Sequence, residues 1–359
     1  MRANFFHYFV RTITFILACL AIAGTFARYI SPIHSSLLPL LGMLLPVLIT
    51  LNLIIAIYWV IRRRYWMCMP ILAIALNFSY LNCIFQISLG EKVLLANHKS
   101  LKVATYNVHS FGNEFDGFSC KKIARYMNDQ KVDIICFQEF AGNNDFTIDS
   151  IKQALSAWKY SVIVPYNELN LIPLAVFSKY SITNSRLITY PGSRNCSLWC
   201  DIIINGKKLR LFNNHLQTTN MSTNRKDINR ALQETGNTYG ESEALIKALT
   251  QTGTNFIKRA QQAETVRKLV AESPYPVLLC GDLNSTPSSY TYHTVKSNLL
   301  DGFQTSGRGY AYTYRFYKHL LRIDYIFHSP ELQGVNYFSP DINLCSDHNP
   351  VIMEVGVPL

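Results

Sequence analysis

The residues best suited to chemistry lie near the end of this sequence, where RIDYIF (Arg322 to Phe327) precedes SDHNP (Ser346 to Pro350). An aspartate in the middle of an apolar, strand-like run is costly to bury unless it finds a partner. Asp347 and His348, just ahead of the apolar run Pro350 to Val355, offer one to Asp324. Aspartate, histidine and a metal-competent carboxylate are together the parts for hydrolysing a phosphate ester. The remaining parts lie upstream: Asn107 in VATYNVHS, Glu139 in DIICFQEF, His215 in LFNNHLQ, and Asp282 and Asn284 in VLLCGDLN.

Phosphodiester hydrolysis needs a divalent cation to neutralise developing charge, an activated water and help for the departing oxygen. A hard cation such as magnesium takes oxygen ligands and keeps several waters, so one or two carboxylates suffice. Glu139 closes a strand-like run and projects from its end, as a ligand would, although a solvated terminal glutamate is as common. His215 after LRLFNN reads equally well as an ordinary hydrogen-bonded side chain, and GDLN as a turn. Each signal is modest alone. What points to a site is that every one of them stands at the end of an apolar run.

Those runs define the elements that must hold the site. From Leu101 onward, short apolar stretches predict strands at Lys102–Val108, Ile134–Gln138, Tyr160–Val164, Leu174–Phe177, Leu198–Ile204, Leu209–Asn213, Val277–Cys280, Ile323–Phe327 and Pro350–Val355. Phe118–Asn128 predicts a helix, and Phe256, Ala260, Ala263, Val266 and Val270 mark another at helical spacing. Strand and helix alternate, with more strands than one doubly wound sheet requires. Asn205-Gly206 predicts a two-residue hairpin turn. The polar stretch Thr218–Asn255 reads as a long insertion, either a loop shaping access or a solvated linker.

The first 99 residues differ in kind. They hold eight Lys/Arg and one acid, Glu91, and so contribute +7 of the +11 formal charge; the remaining 26 basic and 22 acidic residues leave only +4. The basic excess thus flanks apolar segments and is weak support for a polyanion partner. Three segments, about 12–30, 37–61 and 65–89, each reach the roughly 20 residues needed to cross a bilayer. None has a polar stripe to turn toward water, and Trp59, Tyr65 and Trp66 sit near segment ends, as interfacial aromatics do. Arg62, Arg63 and Arg64, with Arg2 and Arg11, place the N-terminus and the second link in the cytoplasm under the positive-inside rule. Everything after about Leu89 is then extracytoplasmic, whether or not the first segment is a cleaved signal. The expected organisation is an anchor over 1–99 and a domain over 100–359, large enough for a single core.

Six of the nine cysteines fall in that domain. Cys136 and Cys280 interrupt apolar runs and read as buried thiols. Cys196 and Cys200 are close enough in sequence to invite a disulfide in an oxidising compartment. No second Cys or His pair completes a zinc site.

TYNV, QE, NHLQ, GDLN, RIDYI and SDHNP, in this order over Leu101 to Val355, resemble the endonuclease/exonuclease/phosphatase superfamily, which includes deoxyribonucleases, abasic-site endonucleases and neutral sphingomyelinases. The resemblance implies a four-layer α/β sandwich, two mixed β-sheets face to face with helices outside. It implies a magnesium (or manganese) cofactor held by Glu139 with Asn107 nearby and Asp347 as a further ligand. His348 would act as general base or electrostatic partner, with Asp324 fixing its tautomer. Asp282 would orient the attacking water, Asn284 would bind a phosphate oxygen, and His215 would contact the phosphate and protonate the leaving oxygen. Arg322 reads as a structural ion pair or a substrate contact. In one departure, ELNLIPLAVFSKYSI lacks the glycine-containing run of many relatives, so Glu168, Asn170 and Lys179 are not placed in the site. The expected substrate is a phosphate ester, whether nucleic acid, phospholipid head group or a smaller phosphate ester; a silent membrane binding protein is the reading from another class.

Overall fold

The computed structural model describes residues 2–35, 37–87, 90, 92–164, 170–219 and 238–359. They form two compact units, one of Met1–Tyr80, Gln217–Ala263 and Ser288–Thr294, the other of Leu81–Leu216, Glu264–Pro287 and Val295–Leu359.

In the first unit, Phe6–Arg28 and Leu37–Ile61 are helical segments long and apolar enough to cross a membrane. Small residues, Ala18, Ala21 and Ala73, let the helices approach closely around Leu48. Buried polar groups tie them together: Asn52 Nδ2 donates to the Leu17 carbonyl at 3.0 Å, and Trp59 Nε1 to Thr14 Oγ1 at 2.8 Å. The third apolar segment is not the single helix expected over 65–89. Helix Cys68–Leu76 stops at Asn77, and Phe78–Ile84 continues at a bend of 55°. The break has a local cause. Asn77 leaves helical geometry, and its Nδ2 donates to the Ala73 carbonyl at 3.0 Å and across to Ala21 at 3.1 Å. The polar stretch expected as an insertion also differs from its second part onward: Thr238–Ala271 is one helix, while 220–237 lie outside the described residues.

The second unit is built on two six-stranded mixed sheets. One runs β13 (Gln333–Phe338), β14 (Val351–Pro358), β2 (His98–Asn107), β3 (Ile134–Gln138), β5 (Leu174–Ser178), β4 (Tyr160–Ile163). The other runs β10 (Leu300–Asp301), β12 (Asp324–His328), β9 (Val277–Asp282), β8 (Lys207–His215), β7 (Cys196–Ile204), β6 (Ile182–Thr189). In each sheet one central pair is parallel, β2 with β3 and β8 with β9. A small ribbon pairs β1 (Phe85–Gln86) with β11 (Gly309–Tyr310). Every strand expected from the sequence is present, and Asn205 (φ 50°) and Gly206 (φ 78°) make the left-handed turn between β7 and β8.

Side chains from both sheets meet in an apolar layer that includes Val103, Ile134, Val176, Leu211, Leu278 and Ile326. Alternate residues face outward, as the strand period demands. Tyr106, Phe137 and Phe177 pack under helices Phe118–Asp129 and Ile148–Ala154 with Ile123, Met127 and Ile151. On the other sheet Phe212, Leu279 and Phe327 are also fully buried. Helices thus flank both sheets, giving the four-layer α/β sandwich. Cys136 and Cys280 are buried thiols as expected. Cys196 and Cys200, however, are free, and they are four residues apart on one strand. A strand rise of about 3.3 Å per residue separates them by roughly 13 Å, about twice what a disulfide spans.

Candidate active site

Strand direction brings the motif residues to one end of the sandwich. Asn107 ends β2 and Glu139 follows β3, while His215 and Asp282 end β8 and β9. Strand β12 runs antiparallel to β9 and begins at Asp324, so His215, Asp282 and Asp324 stand in register across three strands. His348 sits in the loop entering β14, which runs antiparallel to β2. Close approach makes this row possible. A Cβ on Gly281 (φ +138°) would lie 2.0 Å from the Asn214 carbonyl oxygen, so only glycine fits there. Glu139 (φ 52°) and Asn284 (φ 48°) also hold left-handed backbone, an uncommon conformation that gathers at functional sites.

His348 Nδ1 faces both oxygens of Asp324, at 2.9 and 3.2 Å, and its Nε2 lies 3.8 Å from Asp282 Oδ2. Asn107 Nδ2 donates to Glu139 Oε1 at 3.1 Å and to Asp282 Oδ2 at 3.2 Å. His215 is fully buried with its Nε2 3.7 Å from both Glu139 Oε1 and Asp282 Oδ2, and neither ring nitrogen has a hydrogen bond among the described residues. Asn284 donates its backbone N–H to Asp282 Oδ1 at 2.8 Å and its Nδ2 to the Leu216 carbonyl at 3.1 Å. Asp347 is the more open carboxylate, 28% exposed, with Oδ1 3.9 Å from His348 Nε2. It borders a cavity of about 430 Å³ together with His109, Arg315, Phe316 and His319.

These contacts set the charge states. Burial alone would raise the Glu139 carboxyl, but hydrogen bonds from His109 and Asn107 and the nearby His215 outweigh it and hold the group at about 2. Burial raises Asp282 to about 6, reinforced by Asp324 and opposed by His348 and His215. Burial disfavours a charged His348, yet the carboxylates of Asp324 and Asp282 prevail and lift it to about 10.

An ionised Glu139, an asparagine amide and a partly open aspartate are oxygen donors of the kind hard cations take. The buried His215 nitrogens, without hydrogen bonds here, fit a site completed by a bound group. Asp282, Asp324 and His348 also lie close enough to share an ion. A metal-bound histidine must be neutral, so an ion there would compete with the proton that Asp324 and Asp282 favour on His348.

Other residues sit where the motifs did not point. Gln138 Nε2 donates to Asn213 Oδ1 at 2.6 Å, and Asn213 Nδ2 returns to the Phe137 carbonyl at 2.9 Å, a polar link between the sheets beneath the site. His109 Nδ1 lies 3.2 Å from Glu139 Oε2. It opens a left-handed turn in which His109, Ser110, Phe111, Gly112 and Asn113 all have positive φ. Both glutamine and asparagine stand within QE and NNHLQ, the signal that could have found them; His109 stands two residues after Asn107.

Arg322 belongs to the structure and not to the site. It forms a two-fold ion pair with Asp301, at 2.6 and 2.8 Å, both side chains fully buried. Lys179 follows β5 at the end of the sheet away from the site and pairs with Asp133 at 3.6 Å. Asn170 accepts a hydrogen bond from Arg194, and Glu168 lies outside the described residues. In YAYTYRFY (Tyr310 to Tyr317), Tyr310 and Phe316 are open to solvent, and the rings of Tyr314 and His348 form a T-shaped pair at 5.1 Å.

The family model for endonuclease/exonuclease/phosphatase proteins matches residues 104–348, and a domain of unknown function matches residues 7–84. No curated protein matches the chain by sequence. Among solved structures, an endonuclease/exonuclease/phosphatase family protein from Bacteroides thetaiotaomicron aligns with TM-score 0.52 at 19% identity, covering 73% of this chain and 99% of that one. A mannosyl-6-phosphatase from Bacteroides thetaiotaomicron aligns with TM-score 0.50 at 18% identity, covering 71% and 99%. TDP2 from D. rerio, complexed with a single strand DNA product, aligns with TM-score 0.51 at 14% identity, covering 72% and 99%. At such identities the likeness to these structures shows a common fold. With the family model spanning more than half of its residues, the chain belongs to the endonuclease/exonuclease/phosphatase family.

Proposed function

We propose that this protein is a divalent-metal-dependent phosphoesterase that hydrolyses phosphodiester or phosphate-ester bonds by attack of water. The observation that carries the reading is the buried array in which Asp324 orients His348, His348 faces Asp282, and Asn107 joins Asp282 to Glu139. Glu139, Asn107 and Asp347 are the residues that would hold magnesium or manganese. The ion, when bound, neutralises charge developing on the phosphate oxygens and on the departing oxygen.

The chain's own groups do the rest. Asp282, with its carboxyl near 6, is ionised at neutral pH and accepts a proton from the attacking water. His348, held cationic by Asp324, stabilises the negative charge that builds at the phosphorus; this favours the electrostatic role over that of a free base. Asn284 offers its amide to a phosphate oxygen after releasing Leu216, and His215, whose ring nitrogens have no hydrogen bond among the described residues, offers them to the phosphate and the leaving oxygen. The N-terminal helices anchor residues 100–359 to a membrane, with the N-terminus cytoplasmic and the catalytic part outside. Nucleic acid is one substrate class within this reading. A lipid phosphodiester is the second, favoured by exposed Phe85 and Ile87 near the end of the last apolar segment.

Full-length protein in detergent should cleave bis-p-nitrophenyl phosphate with magnesium or manganese, and excess chelator should abolish turnover. Full activity in chelator would sink the metal assignment. Parallel assays on DNA, RNA and phospholipid vesicles choose the substrate class. Cleavage of nucleic acid should fall steeply with salt, whereas activity confined to vesicles selects lipid. Binding without turnover on any of these would leave the silent binding protein.

A further inference from the structure

Three consecutive residues outside the motifs touch three different parts of the site. Thr313 is fully buried. Its Oγ1 accepts from the backbone N–H groups of Ile323 at 3.0 Å and Asp324 at 3.1 Å, and its carbonyl accepts from Asn349 at 2.7 Å. Tyr314 forms an isolated antiparallel bridge with His348, and its ring stands at 69° to the imidazole. The Arg315 backbone N–H donates to the Asp347 carbonyl at 2.8 Å, and its Nη1 to the Ser346 carbonyl at 3.2 Å. The same guanidinium bonds Asn343 through Nη2 and faces Asp341 through Nε at 3.4 Å. Its donors are therefore directed at the loop that carries Asp347 and His348. The segment itself is fixed on both sides: Tyr310 pairs with Phe85, the Ala311 N–H donates to Ile84 at 2.9 Å, and the Tyr314 N–H to Leu321 at 3.1 Å.

We propose that Thr313–Arg315 is a positioning strap for the reaction. Tyr314 sets the plane of the His348 ring, and Arg315 sets the loop that presents Asp347. The role assigned rests on the phosphoesterase reading above. The physical argument is one of rotational freedom. Asp324 holds His348 at a single ring nitrogen, which leaves the ring free to pivot about that bond; the Tyr314 ring packed in a T-shape against it at 5.1 Å opposes that pivot. The Asp347 carboxylate accepts no hydrogen bond among the described residues, so the geometry of its loop decides where it stands. Outer contacts of this kind typically change metal affinity or activity by about 10- to 100-fold when removed. The competing role for Arg315 is direct substrate contact, since it borders the 430 Å³ cavity beside Asp347.

The test uses the full-length protein carrying Tyr314→Phe, Tyr314→Leu, Arg315→Lys or Arg315→Ala. It measures kcat and KM on bis-p-nitrophenyl phosphate, and manganese affinity by electron paramagnetic resonance. Tyr314→Phe should keep near-normal turnover, while Tyr314→Leu should lower kcat by about 10- to 100-fold at unchanged KM. Arg315→Lys and Arg315→Ala should each weaken manganese binding and kcat by about tenfold or more, again at unchanged KM. A raised KM with normal kcat and normal manganese affinity in the Arg315 variants would make that residue a substrate contact and overturn the proposal. So would equal losses in the two Tyr314 variants, or no change in any. If Leu or Ala disturbs folding, Arg315→Lys decides the matter: weakened manganese binding at unchanged KM supports the strap, and normal manganese binding overturns it. Should the native protein cleave no phosphodiester, the manganese affinities still report on the strap, so the two readings can fail separately.

Discussion

His348 Nδ1 lies 2.9 Å from Asp324 Oδ2, and this bond joins a loop of one sheet to the first residue of a strand in the other. The carboxylate fixes which nitrogen carries a proton, and the opposite nitrogen is thereby aimed toward Asp282. His348→Ala should lower turnover by about 10² to 10⁴, the range for lost acid–base or charge help. Asp324→Asn keeps the shape and removes the charge, so its loss should approach that of His348→Ala. The double variant should then be little worse than either single one. Additive losses, read from kcat/KM, would mean the two residues act independently.

The two shifted groups give a pH profile with a definite sign. Asp282 must be a carboxylate to act on water, so the rate should rise with pH through about 6. His348 must keep its proton to act electrostatically, so the rate should fall as pH approaches about 10. A free-base His348 would instead give a rate that climbs toward pH 10. The same shift bears on stability. The folded-state value of His348 is raised, so its contribution is fully present below the ordinary histidine value and is lost as pH rises through about 10. Chelated protein should therefore lose thermal stability on the alkaline side, and His348→Gln should flatten that limb.

Much of this arrangement was legible because the apolar runs carry their chemistry at the ends. Ile134–Gln138 is buried on both faces and reads as one unbroken run, so both strand and following glutamate are evident. Asn205-Gly206 names its turn by chemistry alone. By contrast, β6 at Ile182–Thr189 is largely exposed and reads ITNSRLIT, with no alternation to reveal it. The Gln138–Asn213 link joins residues 75 apart in sequence on different sheets, so no local pattern encodes it. The break at Asn77 depends on a side chain reaching across to Ala21, which makes an uncharged residue in an apolar run look like a minor interruption. The spacing of Cys196 and Cys200 misled because proximity in sequence means about 13 Å once the segment is a strand.

Membrane orientation can be tested apart from catalysis. Alkaline phosphatase fused after residue 95 should be active, since it works only when exported, and a cytoplasmic reporter at the same place should be silent. Replacing Arg62, Arg63 and Arg64 by neutral residues should blur the difference, because these three supply most of the local asymmetry. The reverse pattern would remove both the extracytoplasmic location and the lipid substrate on the outer side.

Arg322 shows the structural ion pair that is one of its two readings from the sequence. Its guanidinium binds Asp301 twice, donates to the Cys83 carbonyl at 2.8 Å, and stands 4.6 Å from the Tyr325 ring centroid and 5.0 Å from that of Phe303. Arg322→Met would leave the Asp301 charge buried and the carbonyl without this donor. Breaking one side of such a pair typically costs about 3–5 kcal/mol, so the thermal midpoint should fall sharply. Adding Asp301→Leu removes the stranded charge and should restore part of the loss, less the turn contact that Asp301 makes with the Phe303 N–H at 2.9 Å. Manganese affinity should stay near normal in whatever fraction remains folded, because the ion pair lies outside the proposed ligand set. If Arg322→Met folded stably but lost phosphate binding, Arg322 would be a substrate residue after all.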